Sequence, residues 1–257
     1  MDYKTPALSR HAFTTLADHV ITTSDAIAQR LQQVLGVSPS RISTLATGVD
    51  LDRFQPLGER VALPRLLPGP LIGMVSVLRS WKGHLIFFQA IRRLKDSGFL
   101  GNFVVVGGGA PEETFRKMAR QHEVEDCVLF AGHREDVPEV IRSLDLLVIP
   151  STRHEGIPQI GLQALACGTP VIGSAVGGIP EIIRANETGR IFPPACGDSL
   201  AKCLLEVFSE PEKTANFSKT GIELVRREYS LGAMTRKLQD LYLEKLEAKG
   251  FHPQSSL

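Results

Sequence analysis

From residue 70 onward, short apolar runs alternate with amphipathic stretches along the chain. The runs are rich in β-branched residues, nearly continuous in apolar character, and closed by Gly, Pro or Ser. Such runs are typical of parallel strands that are covered on both faces. They span residues 71–77, 103–107, 127–132, 146–151 and 170–174, and residues 189–194 predict a sixth strand.

Helical patterns of crossover length separate the predicted strands. They span residues 84–98, 111–124, 135–144, 158–168 and 179–186, and further helices are predicted within 197–246. A strand followed by a helix, repeated in succession, predicts an α/β fold with a Rossmann-like, doubly wound parallel sheet. Because ligands bind beyond the carboxyl ends of such strands, the loops at that edge form the candidate site.

The amino-terminal part follows a different pattern. Residues 19–23 and 42–47 predict strands on either side of a helix at 24–35, and the Pro- and Gly-rich residues 55–70 predict a linker. These elements are too few to bury a core alone, so we expect them to dock on the larger unit or to belong to something absent. The predicted organisation is a first unit (1–54), the linker, a main domain (71–230) and a carboxyl-terminal helix with a tail (231–257).

Two cations follow the first strand of the main domain. Arg79 and Lys82 come just before the helix that begins near His84. Cations at a helix amino terminus suit a phosphate or diphosphate, and solvated surface charge is the alternative. After the next strand, Gly107 and Gly108 allow either close approach to a ligand or a tight turn. This glycine-rich loop lacks the Rossmann glycine spacing and the Lys-Ser/Thr pair of a P-loop.

A carboxylate follows the fourth strand. Glu155 there precedes Gly156, and it suits hydrogen bonds from sugar hydroxyls. It equally suits capping of the next helix, where an acid contributes up to about 1 kcal/mol, so the residues alone leave both interpretations open. Gln163 lies within that next helix, where most glutamines face solvent.

Composition and charge exclude several classes of function. The formal net charge of +1 offers no field for nucleic acid or an anionic membrane. No apolar run approaches the roughly 20 residues that span a bilayer, and the first residues lack a signal-peptide pattern. A cytoplasmic protein is therefore expected. His133 and His154 each lack a second metal ligand at helical spacing, and the cysteines (Cys127, Cys167, Cys196, Cys203) predict reduced, buried thiols rather than a metal site.

A long, ordered set of motifs now resembles a known family. The segments "LRSWKGH", "VVVGGGAPEE", "VLFAGHREDVPEVIRSLDLLVIPSTRHEGIPQIGLQALACGTPVIGSAVGGIPEII" and "GRIFPPACGDSLAKCL" resemble the donor half of a family 4 retaining glycosyltransferase with the GT-B fold. The resemblance covers roughly residues 15–245 and is nearest to bacterial enzymes that build lipopolysaccharide or other surface glycans. It implies transfer of a sugar from a nucleotide-diphosphate sugar to a glycan or lipid-linked acceptor, with retention.

The resemblance also implies roles for particular residues. Glu155 matches the residue that holds donor sugar hydroxyls, and the backbone of Gly156 and Ile157 approaches the sugar and diphosphate. The family's second acidic position, which contacts the ribose diol, is Gln163 here. Glutamine still bonds hydroxyls but loses a charge-assisted acceptor, a loss of about 1 kcal/mol, or roughly fivefold in affinity.

Lys82 matches the family's phosphate-binding lysine. The arginine that usually precedes it by five or six residues is absent, so Arg79 is the candidate substitute from a shifted position. His133 and Arg134 match the loop whose backbone meets the nucleobase, and Gly107 and Gly108 are placed in the same nucleotide site. The resemblance implies neither a metal nor a cofactor, with the nucleotide-sugar as substrate.

The family's amino-terminal acceptor domain is represented only by its last strands, within residues 10–50. The hypotheses left open are a truncated transferase, a transferase completed by a partner chain, a non-catalytic nucleotide-sugar-binding or interaction module, and a sugar-nucleotide epimerase. No nucleic-acid partner is expected. Membrane contact is expected to be at most peripheral, at the inner face of the membrane.

Overall fold

A parallel sheet with helices packed on it dominates the computed structural model, which describes residues 6–153 and 155–251. The strands are β1 (Val20–Thr22), β2 (Ile42–Thr44), β3 (Leu71–Val75), β4 (Asn102–Val106), β5 (Val128–Gly132), β6 (Leu146–Ile149), β7 (Val171–Ser174) and β8 (Arg190–Phe192). The α-helices are α1 (Pro6–His11), α2 (Asp25–Leu35), α3 (His84–Asp96), α4 (Glu112–Gln121), α5 (Val137–Ser143), α6 (Gln159–Ala166), α7 (Ile179–Ile182), α8 (Gly197–Ser209), α9 (Pro211–Glu228) and α10 (Leu231–Glu247).

The main sheet has the order β5-β4-β3-β6-β7-β8, and every pair in it is parallel. The chain runs outward from β3 to β5, then returns to the other side of β3 with β6. The strand order therefore reverses between β3 and β6, the point where doubly wound sheets bind ligands. The predicted α/β sheet is confirmed, including its sixth strand.

Apolar side chains cover both faces of the sheet, as continuous apolar strands require. Alternate residues of β3 enter different clusters, because side chains in a strand point to opposite faces. Ile72 packs in a cluster with Phe87 and Phe88 of α3, whereas Leu71 packs in one with Leu162 of α6. The two clusters fix α3 and α6, whose amino-terminal ends flank the reversal point.

The amino-terminal unit forms a smaller body docked on the sheet domain. β1 and β2 pair in parallel, and Val20, Leu31 and Leu35 form a small core beneath them. The chain then passes the junction between α9 and α10, where the backbone amide of Val49 donates to the carbonyl of Tyr229 at 2.7 Å. Residues 55–70 contain neither helix nor strand.

The carboxyl-terminal helix α10 returns to the amino-terminal unit. A cavity of about 490 Å³ lies between β1 and α10 and is lined by Ile21, Leu241 and Tyr242 among others. Leu241 is half-buried, whereas Tyr242 remains 58% exposed and Leu246 42% exposed. This face of α10 is therefore only partly covered. No helix within residues 6–153 and 155–251 combines the length and apolar character needed to cross a bilayer.

The four cysteines are all unpaired, as expected, but the expectation that all are buried is wrong. Cys127 and Cys167 are buried, and burial raises the pKa of each thiol to about 11. Cys203 is only half-buried, and Cys196 is half-buried at the start of α8. Its Sγ is 3.0 Å from the Ser199 hydroxyl, which together with the Ser199 backbone amide lowers the pKa of the thiol.

Iodoacetamide at neutral pH should therefore alkylate Cys196 first, since the thiolate is the nucleophile and this thiol is the accessible one with a lowered pKa. Peptide mass spectrometry over time measures the order of labelling. Cys196→Ser should remove the fast phase, and fast labelling of Cys127 or Cys167 would contradict the expectation.

Candidate functional site

Two loops meet where the strand order reverses. One follows β3 and contains a 3-10 turn, Ser80–Lys82, and the other follows β6. The backbone amide of Thr152 donates to the carbonyl of Trp81 at 2.8 Å, which joins the loops directly. Residues that are about 70 positions apart in sequence therefore share one edge of the sheet.

Gly83 allows this close approach. Its φ is +85°, and a Cβ at this position would overlap the carbonyl oxygen of Pro150. The next residue, His84, begins α3, and the Gly83 carbonyl accepts from the amide of Phe87 at 3.0 Å. The amino terminus of α3 is thus pressed against the end of β6, with Lys82 immediately before it.

Lys82 and Glu155 form an ion pair at this junction. Lys82 Nζ lies 2.5 Å from Glu155 Oε1, and the Ser151 hydroxyl donates to the same oxygen at 2.7 Å. Only 7% of the Glu155 side chain and 22% of the Lys82 side chain are exposed. α6 starts after Pro158 without a side-chain cap, so the capping interpretation of Glu155 is wrong. The carboxylate is held instead by Lys82 and Ser151.

Two buried serines support this carboxylate, and the sequence reading missed them. Ser151 lies two residues after β6, and Ser174 is the last residue of the neighbouring strand β7. Both serines are fully buried. The Ser174 hydroxyl donates to the Ser151 carbonyl at 2.5 Å. The sequence signal for these serines was a hydroxyl residue at the end of each of two buried apolar runs. The hydrogen bond between the two serines fixes the backbone from which Ser151 reaches Glu155.

Arg79 lies at the exposed edge of the same loop. Its guanidinium stacks over the ring of Trp81, with 4.9 Å from Cζ to the ring centroid. His84, the first residue of α3, is buried against Phe115, with ring centroids 4.4 Å apart. Burial, reinforced by nearby Lys82, lowers the pKa of His84 to about 4. The imidazole is therefore neutral at physiological pH, and the positive charge here comes from Lys82 and Arg79.

The loops after β4 and β5 form a neighbouring surface. Gly107 has φ +146°, and a Cβ there would overlap the carbonyl of Ser76, so loop packing accounts for this glycine. A Cβ at Gly108 would lie 3.5 Å from Cβ of the exposed His133, which places these two residues side by side. Arg134 Nε donates to Asp136 Oδ1 at 2.8 Å, and this pairing lowers the pKa of the Asp136 carboxyl.

The remaining predicted residues follow Glu155 in sequence. A Cβ at Gly156 would lie 2.8 Å from Thr23 Oγ1, so this glycine lies close against the amino-terminal unit. Ile157 is half-buried against the α6 face of the sheet. Gln163 is half-buried on α6, and no hydrogen bond to its side chain is formed within residues 6–153 and 155–251. His154 lies outside the described residues.

The strand order and the polar loops at its reversal define a doubly wound α/β protein with a candidate ligand site at the carboxyl edge. Residues 60–224 match the model described as glycosyl transferases group 1, which covers more than half of the 257 residues. The chain belongs to this family of glycosyl transferases. Residues 3–53 match a second model, glycosyltransferase family 4.

Curated relatives carry transferase names. The chain is 28% identical over 247 residues to a D-inositol 3-phosphate glycosyltransferase of Saccharomonospora viridis, covering 90% of this chain and 57% of the relative. It is 29% identical over 235 residues to the putative colanic acid biosynthesis glycosyltransferase WcaL of Escherichia coli, covering 87% and 56%. The chain thus spans little more than half the length of these relatives.

Solved structures confirm the fold. A glycosyltransferase from Rickettsia africae superposes with a TM-score of 0.85 at 22% identity, covering 95% of this chain and 68% of that one. Anabaena HepE in complex with UDP-glucose superposes with a TM-score of 0.81 at 20% identity, covering 93% and 67%. The predicted GT-B type is thereby confirmed at the level of fold.

Proposed function

We propose that this chain carries the nucleotide-sugar site of a retaining glycosyltransferase that acts in lipopolysaccharide or surface-polysaccharide synthesis. The observation that carries the proposal is the Lys82–Glu155 pair, which sits where the strand order reverses. Family membership and the HepE complexes with UDP and UDP-glucose support a nucleotide-sugar as ligand. Arg79 adds a second cation to the same loop.

In this proposal, the donor diphosphate binds Lys82, Arg79 and the amino terminus of α3. Glu155 accepts hydrogen bonds from sugar hydroxyls once the diphosphate has taken over Lys82, and the backbone of Gly156 and Ile157 adjoins the sugar. The ribose contacts Gln163. The nucleobase lies in the loops that contain Gly107, Gly108, His133 and Arg134.

The transfer breaks the bond between the anomeric carbon and the diphosphate oxygen. The acceptor hydroxyl forms the new bond on the same face of the sugar, and its proton passes to the leaving diphosphate. Charge grows on that oxygen as the bond breaks, so preorganised cations stabilise the transition state more than the bound donor. We assign this stabilisation to Lys82 and Arg79 and to no metal or cofactor.

The chain spans 56–57% of the length of these two curated relatives, and we propose that the acceptor site is formed together with further polypeptide. We propose that this part adjoins the β1–β2 pair and the apolar groove that contains Ile21 and Tyr242, where apolar surface remains exposed. A glycan or lipid-linked acceptor would bind between the two parts, and a lipid-linked one would bring the chain to the inner face of the membrane.

A non-catalytic nucleotide-sugar-binding module is the second candidate. Gln163 favours it, because glutamine replaces the acidic residue that the resemblance leads us to expect at the ribose. A module of this kind would bind the donor without turnover.

Calorimetric titration with UDP, UDP-glucose, GDP and GDP-mannose tests the proposal. We expect saturable binding of one nucleotide and its sugar conjugate, unchanged in the control Lys219→Ala on exposed α9 surface. A folded chain that binds none of the four would exclude the donor site. Nuclear magnetic resonance of the bound donor then tests for turnover, since slow release of sugar with retained configuration indicates the transferase and excludes a non-catalytic module.

A further inference from the structure

A carboxylate of the sheet domain caps α2, a helix of the amino-terminal unit. Glu181 Oε2 accepts from the backbone amide of Asp25 at 3.1 Å, and Oε1 accepts from that of Ala26 at 3.0 Å. Ser24 Oγ accepts from the next amide, that of Ile27, at 3.2 Å. The first free amides of α2 are thus shared between its own N-cap and a residue 156 positions away.

This cap places α2 directly on the loop that contains Glu155. A Cβ at Gly156 would lie 2.8 Å from Thr23 Oγ1 and 3.2 Å from Ile27 Cδ1. A Cβ at Gly178 would lie 2.8 Å from both Ile157 N and Ser24 Cβ. The loop at residues 155–157 is therefore enclosed between the sheet edge on one side and the start of α2 on the other.

The segment just before Glu181 contacts the same 155–157 loop. Gly177 has φ +53°, and a Cβ there would overlap the carbonyl of Glu155, whose oxygen also accepts from the amide of Gly178 at 3.4 Å. Glu181 follows three residues later in α7. One short segment thus contacts both the Glu155 backbone and the α2 amino terminus.

We propose that Glu181 is a positioning residue for the donor sugar. It holds the first turn of α2 against the 155–157 loop, so that Thr23 and Ile27 form the outer support of the sugar side of the pocket. The inference rests on the proposed function. The diphosphate side, at Lys82 and α3, is built from other elements and does not depend on this cap.

Because the sugar side and the diphosphate side of the pocket are built from different elements, loss of the Glu181 cap should affect sugar binding selectively. With Glu181→Gln, one of the two carboxylate acceptors becomes an amide donor and the charge that favours a helix amino terminus is lost. We expect the Kd for UDP-glucose to rise about tenfold, whereas the Kd for UDP changes less than about threefold. A tie that only stabilises the fold would not distinguish the two ligands.

Calorimetry with UDP and UDP-glucose measures this ratio, or GDP and GDP-mannose if the wild-type chain binds the guanine pair. Glu187→Gln is the matched control, because it makes the same change at an exposed site in the same domain. Ile27→Ala is the second variant. It leaves the cap intact, removes the side chain that supports Gly156, and should reproduce the sugar-selective loss. Hydrogen exchange at Asp25 and Ala26 reports whether the cap has opened.

The outcomes are distinguishable. Loss confined to the sugar conjugate in both variants supports the positioning role. Equal loss for both ligands, or faster exchange at Asp25 and Ala26 without any change in affinity, overturns it while the donor site stands. A folded wild-type chain that binds no nucleotide overturns the donor site and this inference together.

Discussion

Lys82→Ala is expected to weaken nucleoside diphosphate binding about 100-fold, whereas Glu155→Gln strengthens it about threefold. The two side chains form a pair 2.5 Å apart, and the Glu155 side chain is only 7% exposed. Removing the lysine deletes a charge-assisted phosphate contact and leaves a buried carboxylate facing the ligand. Removing the carboxylate charge frees Lys82 from its present partner. Calorimetry with UDP or GDP measures both changes.

For the nucleotide-sugar, the effect of Glu155→Gln is the opposite of its effect on the nucleoside diphosphate. Glu155→Gln loses the ionised acceptor for sugar hydroxyls, so the advantage of UDP-glucose over UDP should fall about fivefold or more. Lys219→Ala and Glu212→Gln, which alter exposed charges on α9, are the controls. Weaker binding of the diphosphate alone in Glu155→Gln would mean that the carboxylate holds Lys82 in place rather than competing for it.

The sheet and its edge were predictable because their signals are local. Continuous β-branched runs between helical patterns imply buried parallel strands, and parallel strands bring the loops at their carboxyl ends together. That reasoning placed Lys82 and Glu155 at one edge although 73 residues separate them. It did not show that they contact each other, since the contact depends on how closely the loops after β3 and β6 approach.

The glycines show most clearly which contacts could not be predicted from the sequence. The sequence allowed either a ligand or a tight turn at Gly107, and at Gly156 it predicted close backbone approach to a ligand. The structure supplies a packing partner for each glycine, Ser76 and Thr23 respectively. Each partner is distant from its glycine in sequence and is brought next to it only by the fold. Likewise, nothing in the sequence distinguishes Glu181 from a surface acid, and only the structure shows that it accepts hydrogen bonds from the first amides of α2. Contacts between distant segments follow from tertiary geometry, which no local pattern encodes.

Gly83→Ala is expected to lower the free energy of unfolding by about 3–5 kcal/mol, a large effect for the addition of one methyl group. Two costs combine at this position. The left-handed φ of +85° disfavours alanine by roughly 1–2 kcal/mol, and the new Cβ would overlap the carbonyl oxygen of Pro150. That oxygen belongs to the backbone next to β6, so relief requires the two loops of the site to separate.

Gly98→Ala, just beyond the other end of α3, carries only the first cost, so its comparison with Gly83→Ala isolates the second. Gly98 has a similar φ of +79°, but nothing lies within 4 Å of a Cβ built there. It should therefore lose only the backbone contribution, about 1–2 kcal/mol. Urea unfolding followed by circular dichroism measures both variants. Because Gly83→Ala also displaces Lys82, its nucleotide affinity should fall while that of Gly98→Ala is kept. Equal destabilisation by the two substitutions would show that the loops yield easily, and the tight junction that presents Lys82 to Glu155 would then not be rigid.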